Sequence, residues 1–264
     1  MTRQPQLWLG LALISALLML VGINHLDFGQ DPALQRLDQV FLGPSASFPL
    51  GTDQFGRCNL ARLAAAIENS LLMSLLCVIT AATLGTLAGL IAGWYRGWAD
   101  RTLSFAVNVL MALPGLVLVL LFAALVPGSF WMLYLAISAV IWVEYFRLVR
   151  SVTLSARHDP AIQASQLYGF GKAYLLRRHL LPRLWPDLLT LAAFGAANAI
   201  LALASIGFVY VGLKPPEAEL GLMMVELFPY YSDAPWVLLQ PLLTVFALIL
   251  GFNLLAMGLQ DGRR

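Results

Sequence analysis

The distribution of charged residues constrains the fold of this chain more than any other feature. Lys, Arg, Asp and Glu are absent from five long stretches, apart from Arg96 near the end of the second; these are residues 4–26, 69–99, 102–143, 188–213 and 234–260. A helix needs about 20 apolar residues to cross the ~30 Å of hydrocarbon in a bilayer. Each stretch therefore predicts at least one membrane-spanning helix.

The third stretch is long enough for two helices, and Pro127-Gly128-Ser129 divides it, as is typical of a turn. The sequence thus predicts six membrane-spanning helices, at about 7–25, 69–94, 102–126, 130–150, 187–212 and 235–258. We expect an all-α polytopic membrane protein with a single domain over 1–264. Its parts are an N-terminal helix at 7–25, a core bundle at about 69–260 and a polar segment at about 157–183.

Composition agrees with a membrane protein. Hydrophobic residues make up 60% of the chain and charged residues only 11%, whereas soluble domains carry about 25% charged residues. The first helix has a second interpretation, a secretory signal peptide with Arg3 in its n-region. Its apolar run is longer than the usual 7–15 residues of an h-region, and no small-x-small cleavage pattern follows Val21. We therefore expect an uncleaved helix.

The basic residues predict the orientation, because cytoplasmic loops of membrane proteins carry an excess of Lys and Arg. With the N-terminus inside, 12 of the 16 lie on the cytoplasmic side: Arg3, Arg96, Arg101, Arg147, Arg150, Arg157, Lys172, Arg177, Arg178, Arg183, Arg263 and Arg264. Only Arg36, Arg57, Arg62 and Lys214 lie outside. Both termini are expected in the cytoplasm. The net charge of +2 gives no indication of nucleic-acid binding, because the basic residues follow the topology.

Gly85, Gly89 and Gly93 recur at every fourth position of the second predicted helix. Small residues at this spacing let another helix approach closely. The pattern favours tight packing, within the bundle or against a second chain, over glycines without a specific role.

Three amides, Asn108, Asn198 and Asn253, lie inside predicted helices. We favour hydrogen bonds between helices for them, and the alternative is a polar substrate pathway. The histidines His25, His158 and His179 form no cluster in the sequence, so no metal site is expected. We likewise expect no disulfide between Cys58 and Cys77. Glu144, close to Arg147 and Arg150, is interpreted as a local ion-pair or snorkelling residue.

The polar segment predicts a short helix, a turn and a second helix. Asp159 and Pro160 suit a helix start, Ala161 to Tyr168 form about two turns, and Gly169 is suited to a left-handed end. A new helix then runs from Lys172 towards Pro182. Ala164, Leu167 and Tyr168 form a small apolar face that no membrane span covers. A docking surface and a solvated basic loop are equally compatible with these features.

The same segment resembles the "EAA" loop of bacterial ABC importer permeases. That pattern is Glu-Ala-Ala, three residues, Gly, nine residues, and Ile-x-Leu-Pro. Here Gln163-Ala164-Ser165 takes the first place, Gly169 keeps its spacing and His179-Leu180-Leu181-Pro182 closes the motif. Gln163, Ser165 and His179 depart from the pattern, and Gln163 removes a charge that the family often uses.

Further motifs are similar to the dipeptide/oligopeptide/nickel permease subfamily. They are Pro49-Leu50-Gly51-Thr52-Asp53-Gln54-Phe55-Gly56-Arg57, Gly97-Trp98-Ala99-Asp100, Gly212-Leu213-Lys214-Pro215-Pro216, and Phe252-Asn253-Leu254-Leu255 with Gly258-Leu259-Gln260-Asp261. Each motif is weak, but their order and spacing together are specific. The resemblance covers about residues 48–262.

The resemblance implies a type I ABC importer permease fold in a bacterial inner membrane. The implied partners are a homologous second permease, two ATPase subunits, a solute-binding protein outside the membrane, and the lipid bilayer. The coupling residues would be Gln163, Ala164, Ser165, Leu167, Tyr168, Gly169, Leu181 and Pro182. No phosphate-binding loop occurs, so ATP and magnesium belong to the ATPase subunits, and we expect no cofactor and no catalysis on this chain.

The implied substrate is nickel, a metal chelate, a dipeptide or an oligopeptide, with a slight preference for a metal or metallophore. The alternative function is a self-sufficient channel or an ion-coupled transporter. Such proteins usually carry ionisable residues at the membrane centre, where the predicted helices have none. A membrane enzyme is a third alternative, against which the sequence shows no nucleophile and base pair.

Overall fold

The computed structural model describes residues 5–261, and Arg3, Arg263 and Arg264, which contribute to the predicted orientation, lie outside them. The helices are α1 (Pro5–Ile23), α2 (Asn59–Tyr95), α3 (Gly97–Met111), α4 (Gly115–Leu125), α5 (Phe130–Ala156), α6 (Pro160–Leu167), α7 (Lys172–Leu175), α8 (Leu181–Phe208), α9 (Leu220–Leu227) and α10 (Pro235–Asp261). Two π-helical turns, Asn24–Phe28 and Leu176–Leu180, and a 3₁₀ turn, Phe228–Tyr230, extend them. The described part of the chain has no β-strand, so the predicted all-α class is confirmed.

Five continuous helices are long and apolar enough to cross a membrane, and α3 with α4 forms a sixth, broken span. The two halves are bent by 84°. Pro114 precedes α4 with a non-helical ψ of 130°. The break lies here because a proline lacks the N–H that would continue the helix from α3, and because it disfavours helical backbone at the preceding Leu113. Five of the six predicted spans are confirmed as continuous helices, and the one predicted at 102–126 is this bent pair, which makes a sixth span where the two halves cross the membrane together.

Two predicted helix starts are wrong. The second helix begins at Asn59 instead of 69, and the fifth span is continuous from Lys172 to Phe208 instead of beginning at 187. In both places charged residues interrupt the apolar stretch from which the helix was predicted. In the fold these charges are accommodated by ion pairs or by exposure at the end of the helix. The fourth predicted helix likewise continues beyond 150, to Ala156.

The core of the bundle is the contact between α2 and α5. A β-carbon added at Gly85 would lie 2.5 Å from the Tyr145 Cβ, and one at Gly89 would lie 2.8 Å from the Phe146 carbonyl oxygen. Gly93 meets Thr153 in the same way. The glycine stripe therefore faces α5 of the same chain, and the two backbones approach too closely for any side chain at these positions.

Packing of α1 on α10 defines two ends of the bundle. The start of α1 lies against the end of α10, where Gly258 contacts Leu7. At its other end, Val21 of α1 packs on Ala64 and Ile67 near the start of α2. The start of α1, the ends of α2 and α10, and the segment that contains α6 thus share one end of the molecule, here called the α6 end. The start of α2 and α9 lie at the opposite end.

Four buried charged side chains hold the opposite end together. Arg57 and Arg62 both bond to Asp53 Oδ2, at 2.6 Å each, and both bond to Glu226 Oε2, at 3.0 and 2.9 Å. Asp53 precedes α2 and Glu226 belongs to α9, so this quartet (Asp53, Arg57, Arg62 and Glu226) joins the two. Charges that are buried must be paired in this way.

Candidate functional site

The predicted helix in the polar segment is confirmed in its bounds and its caps. Asp159 Oδ1 accepts a hydrogen bond from the Ala161 backbone N–H at 2.9 Å, and Pro160 occupies the first turn of α6. At the other end Gly169 has a φ of +83°, a conformation that residues other than glycine seldom adopt. The Phe170 backbone N–H then bonds to the Ser165 carbonyl at 3.1 Å. The segment is therefore a rigid helix with a sharp turn after it.

A single side chain anchors α6 in the bundle. Ile162 is 3% exposed and packs with Val149 and Ala156 of α5, Leu175 of α7, Leu180, and Leu184 of α8. The sequence did not single out Ile162, although an isoleucine in a polar helix is a signal for an anchor. Ile162 thus joins α6 to α5 and α8.

The tip of the segment exposes apolar surface. Leu167 and Tyr168 are 89% and 83% exposed, the Phe170 and Tyr174 rings stack at 4.3 Å, and Ala164 is exposed on the same helix. Exposed apolar patches rimmed by polar residues mark interaction sites. Phe170 and Tyr174 were not among the predicted residues; their spacing of four beside a turn is the signal that reveals them.

Polar contacts tie the tip to the segment that follows. Ser165 Oγ and His179 Nε2 are 3.1 Å apart, so two of the three positions that depart from the family pattern contact each other. Gln163, the third, donates from Nε2 to the Arg157 carbonyl at 3.4 Å. A charged carboxylate is thus replaced by an amide that bonds within the chain.

The segment after the turn differs from its prediction. The helix that starts at Lys172 does not end at Pro182 but continues through a π-helical turn at Leu176–Leu180 into α8. Leu181 and Pro182 form the first turn of α8, where the missing proline N–H costs least. The wider turn spaces the backbone around the proline ring, which would clash in a regular helix.

A cleft between α3, α4, α5 and α8 contains two of the three predicted pathway amides. Glu144 shares one part of the cleft with Asn198 and Ser205, and another with Asn108 and Arg147. Asn253 lies apart on α10 and donates to the Ile249 carbonyl of its own helix at 3.0 Å. Asn108 and Asn198 are exposed on this chain. The predicted hydrogen bonds between helices are therefore wrong for Asn253 and absent for the other two within residues 5–261.

Glu144 is not paired as predicted. Arg150 bonds through two nitrogens to Asp100, with Nη2 at 2.8 Å from Oδ2, and Ser104 Oγ donates to the same carboxylate. Arg147 contacts the Met111 sulfur at 3.7 Å. Within residues 5–261, Glu144 has no ion pair within 4.0 Å. The Glu144 carboxylate thus lines the cleft without a direct ion pair, beside Arg147 and the amides.

A second buried carboxylate lies at the opposite end. Glu219 is fully buried and accepts hydrogen bonds from the backbone N–H groups of Gly221 and Leu222, at 2.9 and 2.7 Å, as the cap of α9. Burial raises the pKa of Glu219 to about 7, although these hydrogen bonds oppose the shift. Both cysteines are buried and unpaired. Among the side chains that the structure describes, no group of three His, Cys, Asp or Glu could hold a metal.

Comparison with known proteins identifies the architecture. Residues 85–262 match the family described as binding-protein-dependent transport system inner membrane component. The chain is 31% identical to a dipeptide transport system permease protein of Alkalihalophilus pseudofirmus, over 96% of this chain and 83% of that protein. It is 32% identical to a glutathione transport system permease protein of Pectobacterium atrosepticum, over 85% and 74%. It is also 32% identical to a probable D,D-dipeptide transport system permease protein of Escherichia coli, over 88% and 78%.

A solved structure shares the fold. The MetNI methionine ABC transporter in an inward-facing conformation matches with a TM-score of 0.53 and 18% identity, over 74% of this chain and 94% of the matched chain.

Proposed function

Given that the chain belongs to the family of binding-protein-dependent transport system inner membrane components and is a permease of an ABC importer, we propose that it imports short peptides. The support is the relatives at 31–32% identity, which are named for dipeptides, D,D-dipeptides and glutathione. None of these three is named for nickel or a metallophore, so the preference for a metal chelate has no support from them.

The surface that couples this permease to ATP hydrolysis is α6 with the turn that follows it. The observation that carries this assignment is the combination of an exposed Leu167 and Tyr168 with a buried Ile162 on the same two-turn helix. A partner that binds Leu167 and Tyr168 can displace α6, and the buried Ile162 transmits this displacement to α5 and α8. Gln163, Ala164, Ser165, Gly169, Leu181 and Pro182 shape this element around the tip.

The partners of this chain are then a second, homologous permease, two ATPase subunits and a solute-binding protein. We propose that the second permease completes the cleft of Glu144, Asn108 and Asn198, and that the Glu144 carboxylate in this cleft binds the free amino group of a peptide. ATP and magnesium bind to the ATPase subunits, and this chain carries no catalytic residue of its own.

The orientation follows from charge. Nine basic residues of the described part lie at the α6 end: Arg96, Arg101, Arg147, Arg150, Arg157, Lys172, Arg177, Arg178 and Arg183. At the opposite end, two of the four basic residues, Arg57 and Arg62, are buried in ion pairs and contribute little to the surface charge. We therefore propose that the α6 end, with the start of α1 and the end of α10, faces the cytoplasm.

Purification of the tagged chain in mild detergent from its native cells tests the partners. We expect a second permease and ATPase subunits in the purified material. Reconstitution of that complex in liposomes with its binding protein tests the substrate. Peptide transport should require ATP on the side of the ATPase subunits, and the binding protein with the peptide on the other side. Nickel added alone should not be transported. A chain that purifies alone and transports without ATP would contradict the proposal.

A further inference from the structure

We propose that the cleft between the end of α2 and α7 binds an anionic phospholipid of the bilayer. The cleft is lined by Leu90, Ile91, Trp94 and Tyr95 of α2, and by Lys172 and Leu176 on the other side. It lies at the α6 end, on the outer surface of the bundle, and is separate from the cleft that contains Glu144. Its occupant must match an apolar floor with a cationic rim.

Two cations contact the last two residues of α2. The Lys172 ammonium lies 4.6 Å from the centre of the Tyr95 ring, and Arg157 Nη1 donates to the Trp94 carbonyl at 3.0 Å. Neither Lys172 nor Arg157 has a carboxylate within 4.0 Å in the described chain, where the ion pairs at this end engage Arg150 and Arg183. Lys172 therefore places a positive charge at the mouth of the cleft, and Arg157 adds a second one next to Trp94, which lines the cleft.

The apolar floor continues along an exposed side of α2. Leu84, Leu87 and Ile91 follow one another at helical spacing and are each about half exposed, within a part of α2 that carries no charge between 69 and 95. Trp94 and Tyr95 mark the level of the headgroups, where tryptophan and tyrosine concentrate. The row of Leu84, Leu87 and Ile91 thus extends from the level of the two cations into the hydrocarbon of the bilayer.

An anionic phospholipid meets both requirements at once. Its acyl chain covers this row and its phosphate reaches Lys172 and Arg157, whereas a soluble anion leaves the row uncovered and a zwitterionic lipid brings no net charge to the cations. Basic residues near a membrane surface each attract anionic lipid by about 1 kcal/mol, which is about five-fold in affinity.

The position of the cleft gives the lipid a regulatory consequence. Lys172 begins α7, which follows the turn at Gly169 and α6 directly. A lipid held between Lys172 and Tyr95 braces α7 against α2, and so restrains the segment that carries the coupling surface. Binding itself depends on neither the ATPases nor the peptide substrate, so it can fail or succeed independently of the proposed function.

Native mass spectrometry of the delipidated full chain tests the site, with phosphatidylglycerol and phosphatidylcholine titrated separately. We expect phosphatidylglycerol to bind more tightly, Lys172→Gln to weaken it about five-fold, and Lys172→Arg to retain it. Arg101→Gln is the matched control, because it removes one exposed charge of the α6 end outside the cleft. Inorganic phosphate should not displace the lipid.

Three results would overturn the proposal: equal affinity for the two lipids, an equal loss in Arg101→Gln and Lys172→Gln, or displacement by inorganic phosphate. Equal affinity would mean that the cleft selects no anion. An equal loss would mean that the general surface charge attracts the lipid. Displacement would mean that only the phosphate is recognised.

Discussion

Arg62 Nη1 donates a hydrogen bond to Asp53 Oδ2 at 2.6 Å, and both side chains are almost completely shielded from solvent. Glu226 of α9 binds the other nitrogen of the same guanidinium at 2.9 Å. The bridge fixes the chain before α2 to a short helix more than 160 residues later. It also explains why α2 can begin at Asn59. The charge of Arg62 would exclude this region from a membrane-buried helix if it were not paired.

Removal of Arg62 should therefore destabilise the fold strongly. In Arg62→Leu, Asp53 and Glu226 keep only Arg57 as a partner, and an uncompensated buried charge costs about 3–5 kcal/mol. The free energy of unfolding in mixed detergent micelles measures the effect. Arg101→Gln, an exposed arginine, should change it by less than about 1 kcal/mol; similar losses in both variants would contradict the buried quartet.

The contact between α2 and α5 predicts a second effect on stability. In Gly89→Ala the new methyl would lie 2.8 Å from the Phe146 carbonyl oxygen and 2.9 Å from Val149 Cβ, which forces the helices apart at a cost of about 1–3 kcal/mol. Gly22→Ala in α1 is the control, because nothing lies within 4 Å of its new methyl. Unfolding in the same micelles should separate the two variants, and equal stabilities would argue against the close approach.

Glu219 predicts a dependence of stability on pH. Burial raises its folded-state pKa from 4.5 to about 7, so between these values the folded chain holds a proton that the unfolded chain has lost. The contribution is fully present below about pH 4.5 and is lost as the pH rises to about 7. At about 1.4 kcal/mol per pH unit this amounts to roughly 3 kcal/mol.

The comparison of wild type with Glu219→Gln isolates this contribution, because the amide does not titrate. The difference in unfolding free energy between the two proteins should change between pH 4.5 and 7 and stay constant above it. A difference that is the same at every pH would show that Glu219 titrates normally in the folded chain.

Much of the fold is predictable because the bilayer forces it. Stretches without charge must be helices that cross the hydrocarbon, and turn residues such as Gly128 separate them. The ends of the helices are less predictable, since they depend on tertiary contacts. The buried pairing of Arg62 extends α2 beyond its apolar stretch, and the π-helical turn before Leu181 carries α7 into α8 without a break.

In the candidate site, too, the features that depend on local sequence are predictable and those that depend on tertiary contacts are not. Local rules suffice for the cap at Asp159 and the turn at Gly169, because both depend on the backbone nearby. The burial of Ile162 depends on Val149 and Leu184, which are close only after folding. The pairing of Arg150 with Asp100, instead of with Glu144, likewise depends on the packing of α3 against α5.

We infer that the exposed tip of α6 couples ATP hydrolysis to transport by this permease. Leu167→Asp tests it most directly, since this side chain is 89% exposed and contributes little to the fold of the isolated chain. The control is Leu37→Asp, an exposed leucine outside the described helices. Uptake and ATP hydrolysis are measured together in liposomes that contain the assembled complex.

We expect Leu167→Asp to reduce ATP-dependent uptake at least ten-fold relative to wild type, although the variant folds and inserts normally. Leu37→Asp should retain its ATPase subunits. A charge at the centre of a desolvated docking contact costs on the order of 2 kcal/mol or more, which is a change of that size. Full uptake with bound ATPase subunits in Leu167→Asp would contradict this inference.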